Sequence, residues 1–205
     1  MTSELLRVLQ TLRLKGRVLP ADLAAATGIA ESRCTAMTND LITSNHAEEV
    51  RGRLKLTVDG RDRLAELLAA ERETVDHEAI EELYAEFEPF NAEVKSLMTR
   101  WQLKDHETPN EHDDPDYDKG VLDGLNELDA RFRGLLERMV TAVPRLAHYP
   151  ARFAGALSRI NAGDHSWFAK PLADSYHTVW FELHEDLIGL AGLSRAEEAA
   201  AGRAE

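Results

Sequence analysis

The chain has 205 residues, 43% of them hydrophobic, 30% charged, and a formal net charge of −13. That length suits one large or two small domains of an ordinary globular protein, and no apolar run approaches the roughly 20 residues of a membrane span. Residues 1–16 interleave charges with leucines and carry no cleavable signal pattern, and the single cysteine, Cys34, excludes an internal disulfide framework and fits a reducing cytoplasm.

Ser3 is placed to cap a first helix that carries Leu5, Leu6, Leu9 and Leu12 at helical spacing and stops at Gly16. Pro20 opens a second helix to Thr27, and Gly28 makes the turn. A third helix, roughly 30–44, sets Cys34, Met37 and Leu41 on one side. The period then changes. Residues 47–50 and 54–57 read as a hairpin with Gly52 at its tip. Thr57 begins a fourth helix running to about residue 73.

Charge divides the chain at this point. Through Glu73 there are 11 basic and 11 acidic residues; the remainder holds 13 basic and 26 acidic ones. The second part should therefore repel nucleic acid, while the first is at least not repelled. A boundary near residue 70 follows.

Helix, short helix, turn, helix, hairpin, helix is the order of a winged helix-turn-helix. The run Leu56-Thr57-Val58-Asp59-Gly60-Arg61-Asp62-Arg63-Leu64 resembles the step that follows the wing in MarR-like regulators. Leu23-Ala24-Ala25-Ala26-Thr27-Gly28-Ile29 resembles the helix-turn of that class. The likeness covers about a third of the chain. It implies double-stranded DNA as a partner, with the third helix in the major groove and the wing on the backbone. Ser32, Arg33, Thr35, Thr38 and Asn39 would face the groove, and Arg51, Arg53 and Lys55 would neutralise phosphate. Glu31 and Asp40 oppose this, and a solvated helix face with a charged hairpin is the alternative.

In the acidic part, Thr74 is placed to cap a long helix. Ile80, Leu83, Tyr84, Phe87, Phe90, Val94, Leu97, Met98 and Trp101 recur at threes and fours, the stripe of a core face or a dimer seam. Pro89 should kink or split it. Residues 105–118 read as a polar, solvated loop. Asp114, Asp116 and Asp118 alternate as in a calcium loop, but the glycine comes late, at Gly120, and the twelfth position is Leu125. Further helices are expected over roughly 119–142 and 151–162, with Arg152 and Arg159 at the edge of the second one's inward face, placed to pair with carboxylates or to hold an anionic ligand. A turn with His165, Trp167 and Phe168 leads into the last long helix, taken to begin at Asp174. Ser194 and Glu197 have the form of a capping box for a short tail helix.

At 100° per residue, Tyr176, Val179, Trp180, Phe181, Leu183 and Leu187 of that last helix form a wide apolar arc, and His177 and His184 fall inside it. Asp174, Thr178, Glu182, Glu185 and Asp186 take the other side and should face water. The histidines are seven residues apart, about 10 Å along the axis, so one metal ion cannot join them. Helical metal pairs sit three or four apart. These histidines are either satisfied core groups or the polar points of a pocket with Trp101, Trp167, Trp180, Phe181 and Arg159 around an unknown small molecule. No metal or cofactor is assigned. The architecture resembles metal-binding GntR-type regulators only in outline. The segments around Trp101-Gln102, Pro109-Asn110-Glu111-His112-Asp113 and 174–187 are also similar to uncharacterised actinobacterial helical proteins, some of them linked to phosphoenolpyruvate-utilising phosphotransferases.

The expected fold is mainly α, a winged helix-turn-helix over residues 1–70 followed by an all-helical domain of about five helices over 71–205. The expected function is a cytoplasmic, homodimeric, non-enzymatic DNA-binding regulator that senses a small molecule. The alternative is an accessory subunit of a phosphotransfer-type enzyme, with a winged helix that does not touch DNA.

Overall fold

The computed structural model describes residues 2–105, 107–171 and 173–193, and those residues form eight α-helices, two short 3-10 helices and two small antiparallel hairpins. The chain is therefore mainly α. Helices α1 (Thr2–Lys15), α2 (Pro20–Thr27) and α3 (Glu31–Thr43) come first. Ser3 lies inside the first turn of α1, as its second residue, and so does not cap it. Pro20 occupies the first turn of α2, where its missing N–H costs nothing, and Gly28 closes that helix at φ +65.

Strands β1 (Ala47–Val50) and β2 (Arg53–Leu56) follow, joined by Arg51 and Gly52 at φ 54 and 75. Two consecutive left-handed residues make the tight turn whose twist suits a hairpin. The register pairs Val50 with Arg53 and Glu48 with Lys55, so β2 starts one residue before the expected 54–57 and Thr57 is released for another task. Its side chain caps α4 (Val58–Arg72) by accepting from the Gly60 N–H at 3.0 Å. Gly60 itself is required by proximity, since a Cβ there would lie 1.8 Å from the His46 carbonyl oxygen. Sequence patterning missed one pairing: Val18 exchanges both backbone hydrogen bonds with Leu54, tying the segment after α1 to the hairpin.

Helix α5 (His77–Gln102) is capped by Asp76, which accepts from Ala79 N–H, and not by Thr74. Pro89 neither splits nor ends it, because its apolar stripe continues on both sides of the proline and packs along α6 (Pro115–Ala142). Helix α6 starts four residues before the expected position, capped by Asp114. Between them β3 (Leu103–Lys104) and β4 (Thr108–Pro109) fold the loop back on itself. A 3-10 turn (Pro144–His148), α7 (Tyr149–Asn161), a second 3-10 turn (His165–Phe168) and α8 (Tyr176–Leu190) complete the described chain. Ser175, not Asp174, caps α8. The expected tail helix with Ser194 and Glu197 lies outside the described residues.

Two hydrophobic cores result. One gathers residues of α1 to α4 and the hairpin, including Leu9, Leu23, Leu54 and Leu64. The other gathers α5 to α8 around Phe87, Phe132, Phe153 and Trp180. Helix α8 lies between them. Its apolar side enters the second core as expected, but its acidic side does not face water. Glu182 and Asp186 are each only 2% exposed. A helical wheel assumes one wet face; α8 has none over these two carboxylates because α1 and the turn before α7 pack there.

Candidate functional site

Of the residues expected to meet DNA, all but Thr38 and Lys55 are exposed. Ser32, Arg33, Thr35 and Asn39 are exposed along α3 beyond the Gly28 turn, and Arg51 and Arg53 are exposed at the hairpin tip. Thr38 is buried, its hydroxyl donating to the Thr35 carbonyl at 2.9 Å, so it is removed from this face. Arg33 is held by Glu4 of α1 at 3.1 Å, and Lys55 by Glu48 across the hairpin at 2.9 Å.

A charged seam joins the two cores. Asp186 accepts from Arg145 Nη1 at 2.9 Å, Tyr149 Oη at 2.6 Å and Gln10 Nε2 at 2.8 Å. Arg145 also grips Glu71 at 2.8 Å. One turn earlier on α8, Glu182 accepts from Arg152 and from Lys15, and both cations also bond Asp174. Burial alone would push the Asp186 carboxyl up; Arg145, then the Tyr149 hydroxyl, more than reverse this and hold it below the usual carboxylate range. Asp174 is lowered in the same way by Arg152 and Lys15, against its burial. His148 is pushed down to about 3, by burial first and then by Arg152, so it is a neutral imidazole whose Nδ1 faces the Arg145 carbonyl at 3.1 Å.

Beside the seam two adjoining hollows open between the first module, the part built from α1 to α4 and the β1–β2 hairpin, and α7–α8, of about 470 and 480 Å³, sharing Ala25, Arg159, Trp167 and Asp174. Three of the expected ligand residues meet here. The Arg159 guanidinium lies 4.2 Å over the Trp167 ring, and Phe181, 37% exposed, lines the wall. So does Arg53 of the hairpin, which sequence reasoning gave to DNA phosphate alone.

The other expected ligand residues are elsewhere. Trp180 is 3% exposed, stacked on Phe87 at 5.0 Å, and its indole N–H donates to Asn91 at 3.0 Å. His184 meets the Tyr84 hydroxyl at 3.1 Å and packs on Phe87. Neither residue lines the hollows described here; both are buried among the helices of the second core. Asn91 supplies the indole's acceptor from inside the bundle. His177 is half-buried near the start of α8.

Trp101 belongs to a separate cleft of about 640 Å³ with His112, Asp118 and His165. Its ring stacks on Phe168 at 4.8 Å and meets His112 at 4.4 Å. Residues 105–118 are thus not simply solvated. Asn110 and Asp118 are 8% exposed, Asn110 donates to Asp118 at 2.8 Å, and His112 Nδ1 sits 2.9 Å from the other oxygen of Asp118. The signal available in the sequence was the Asn-x-His spacing, which acidity masked. Among the described residues no group of three or more His, Cys, Asp or Glu side chains is arranged to hold a metal ion, and no described helix is long and apolar enough to cross a membrane. Comparison of the chain with family models, with curated proteins and with solved structures gives no match.

Proposed function

We propose that the chain is a DNA-binding transcriptional regulator, with a winged helix-turn-helix over residues 1–70 and a helical remainder that senses a small molecule. Support comes from Ser32, Arg33, Thr35 and Asn39, exposed on the helix that follows the Gly28 turn, together with a hairpin that exposes Arg51 and Arg53. In this proposal α3 enters the major groove, where hydroxyl, amide and guanidinium groups read base edges, and Arg51 meets the backbone. Two copies of the chain read two half-sites, and effector binding changes the spacing of their recognition helices.

The test is binding of the full chain to a DNA fragment from upstream of its own gene across a series of salt concentrations. Affinity should fall steeply as salt rises. Absence of binding at low salt, with the protein folded, ends this proposal.

A second proposal has a specific observation in its favour. Arg33 and Lys55 are each tied to a glutamate, and Glu31 and Asp40 of the same helix and Glu49 of the same hairpin are exposed. A face so nearly neutral suits a protein partner better than a polyanion, as in an accessory subunit of a phosphotransfer-type enzyme. The salt series separates the two, because a protein-docking module gives no counterion-release slope with DNA.

A further inference from the structure

We propose that the paired hollows between the first module and α7–α8 form a binding site for a small phosphate monoester. Four charges of the seam cancel locally: Arg152 and Lys15 are matched by Asp174 and Glu182. The remaining charged side chains bordering the hollows are Arg7, Arg17, Arg53 and Arg159 against one carboxylate, Asp22. Among the described residues no carboxylate lies within ion-pairing distance of those four arginines. An excess of about three positive charges is thus concentrated in a concave site of a chain whose net charge is −13. In such a chain, cations left unpaired in a cleft are a focused field for an anion.

The site is also built. Arg152 has only 5% of its side chain exposed and borders one of the two hollows, and its Nη1 has no hydrogen-bond partner. Arg7 Nε is likewise buried without a partner at the same end. Unsatisfied buried donors of a charged group are costly, and an entering oxyanion satisfies them. The Trp167 ring fixes Arg159 as a planar fork beside the opening, the geometry that matches phosphate. Phe181 and Ala25, which both line the hollow, offer apolar surface to the ester's organic part.

The arginines come from different elements. Arg159 is on α7, Arg17 follows α1, and Arg53 is on β2. A shared phosphate therefore draws the hairpin toward the helical part. That coupling rests on the regulator proposal; the binding does not.

The probe is phenyl phosphate, titrated calorimetrically into the full chain at low salt, with phenol and benzoate as comparators. Saturable binding of phenyl phosphate is expected, with none of phenol and weaker binding of benzoate. Arg159→Gln and Arg53→Gln should each weaken it by about tenfold or more, as expected for loss of a charged hydrogen bond. Arg63→Gln, which removes a surface arginine paired with Glu66, should leave it unchanged. Thermal melts confirm that each variant is folded. Failure of phenyl phosphate to bind, tighter benzoate binding, or insensitivity to both cleft substitutions overturns the site. DNA affinity with and without phenyl phosphate then addresses the coupling: binding in the cleft without any DNA affinity defeats the regulator proposal and leaves the site standing.

Discussion

The Gln10 amide donates to Asp186 Oδ1 at 2.8 Å, so a residue of the first helix is fastened to one 176 positions later on the last described helix. Asp186 is also the acceptor for Arg145 and Tyr149, which makes one carboxylate the meeting point of both cores. Asp186→Ala leaves a buried guanidinium, a phenol and an amide short of their acceptor. Removing one partner of a buried ion pair costs about 3–5 kcal/mol, and chemical denaturation should show that loss as a lower midpoint. A midpoint within error of the native chain would mean that the seam contributes nothing to joining the two parts.

His148 gives the protein a pH dependence of known sign. The imidazole titrates near 6.5 when unfolded and near about 3 in the folded chain. Between those values the unfolded chain binds the extra proton, so stability is complete above roughly pH 6.5 and falls with acidification at about 1.4 kcal/mol per unit. Asp186 and Asp174 act lower. Their folded values are depressed, so their contribution persists down to about pH 4 and disappears only below it. His148→Asn keeps a donor for the Arg145 carbonyl and removes the titration. Denaturation midpoints of this variant should be flatter than those of the native chain between about pH 6 and pH 4.5; parallel curves would contradict the assignment.

Gly60→Ala tests why glycine occupies the first turn of α4. The methyl group would sit 1.8 Å from the His46 carbonyl oxygen, a rigid backbone atom. Since α4 and β1 must part to admit it, a loss of about 3 kcal/mol or more is expected, in the range of severe overpacking. A melting temperature equal to the native one would show that the close approach is relaxed in solution.

Helices and hairpin were readable because their signals are local. Gly28 and Gly52 stand where the backbone needs positive φ, Pro20 where a helix begins, and Leu5 to Leu12 repeat at the helical period. Burial of Glu182 and Asp186 was not readable, because the wheel knows only one helix and their neutralisers, Lys15, Arg145 and Arg152, come from α1, the turn before α7, and α7. The cleft failed to show for the same reason. Arg53 is a hairpin residue in the sequence and a neighbour of Arg159 and Phe181 only in space. Trp180 illustrates the converse. Its apolar setting was evident, but its polar atom could be assigned to a pocket until Asn91 was seen to occupy it.

Trp180→Phe follows from that pairing. The aromatic contacts with Phe87 and Phe132 largely survive, while the Asn91 carbonyl oxygen loses the indole N–H. A cost of about 1 kcal/mol is expected for the lost buried hydrogen bond. Binding of phenyl phosphate should be unaffected in the folded variant. If binding changes while stability does not, Trp180 is a site residue after all.

The Arg33–Glu4 ion pair bears on how α3 would meet DNA. The two side chains are 46% and 40% exposed, so the pair itself contributes little stability in water. Its effect is on the availability of Arg33: while Glu4 holds the guanidinium at 3.1 Å, a phosphate must compete with a carboxylate for it. Glu4→Gln removes that competitor and one negative charge from the surface. Affinity for DNA should rise by about threefold to tenfold at low salt, and the dependence on salt should steepen by about one counterion. Arg33→Ala should act in the opposite direction, and in the double variant the gain from Glu4→Gln should shrink, because its larger part passes through Arg33. An equal gain with and without Arg33 would place the effect of Glu4 in the general field of the surface and not in this pair, leaving Arg51 as the principal cation facing the backbone.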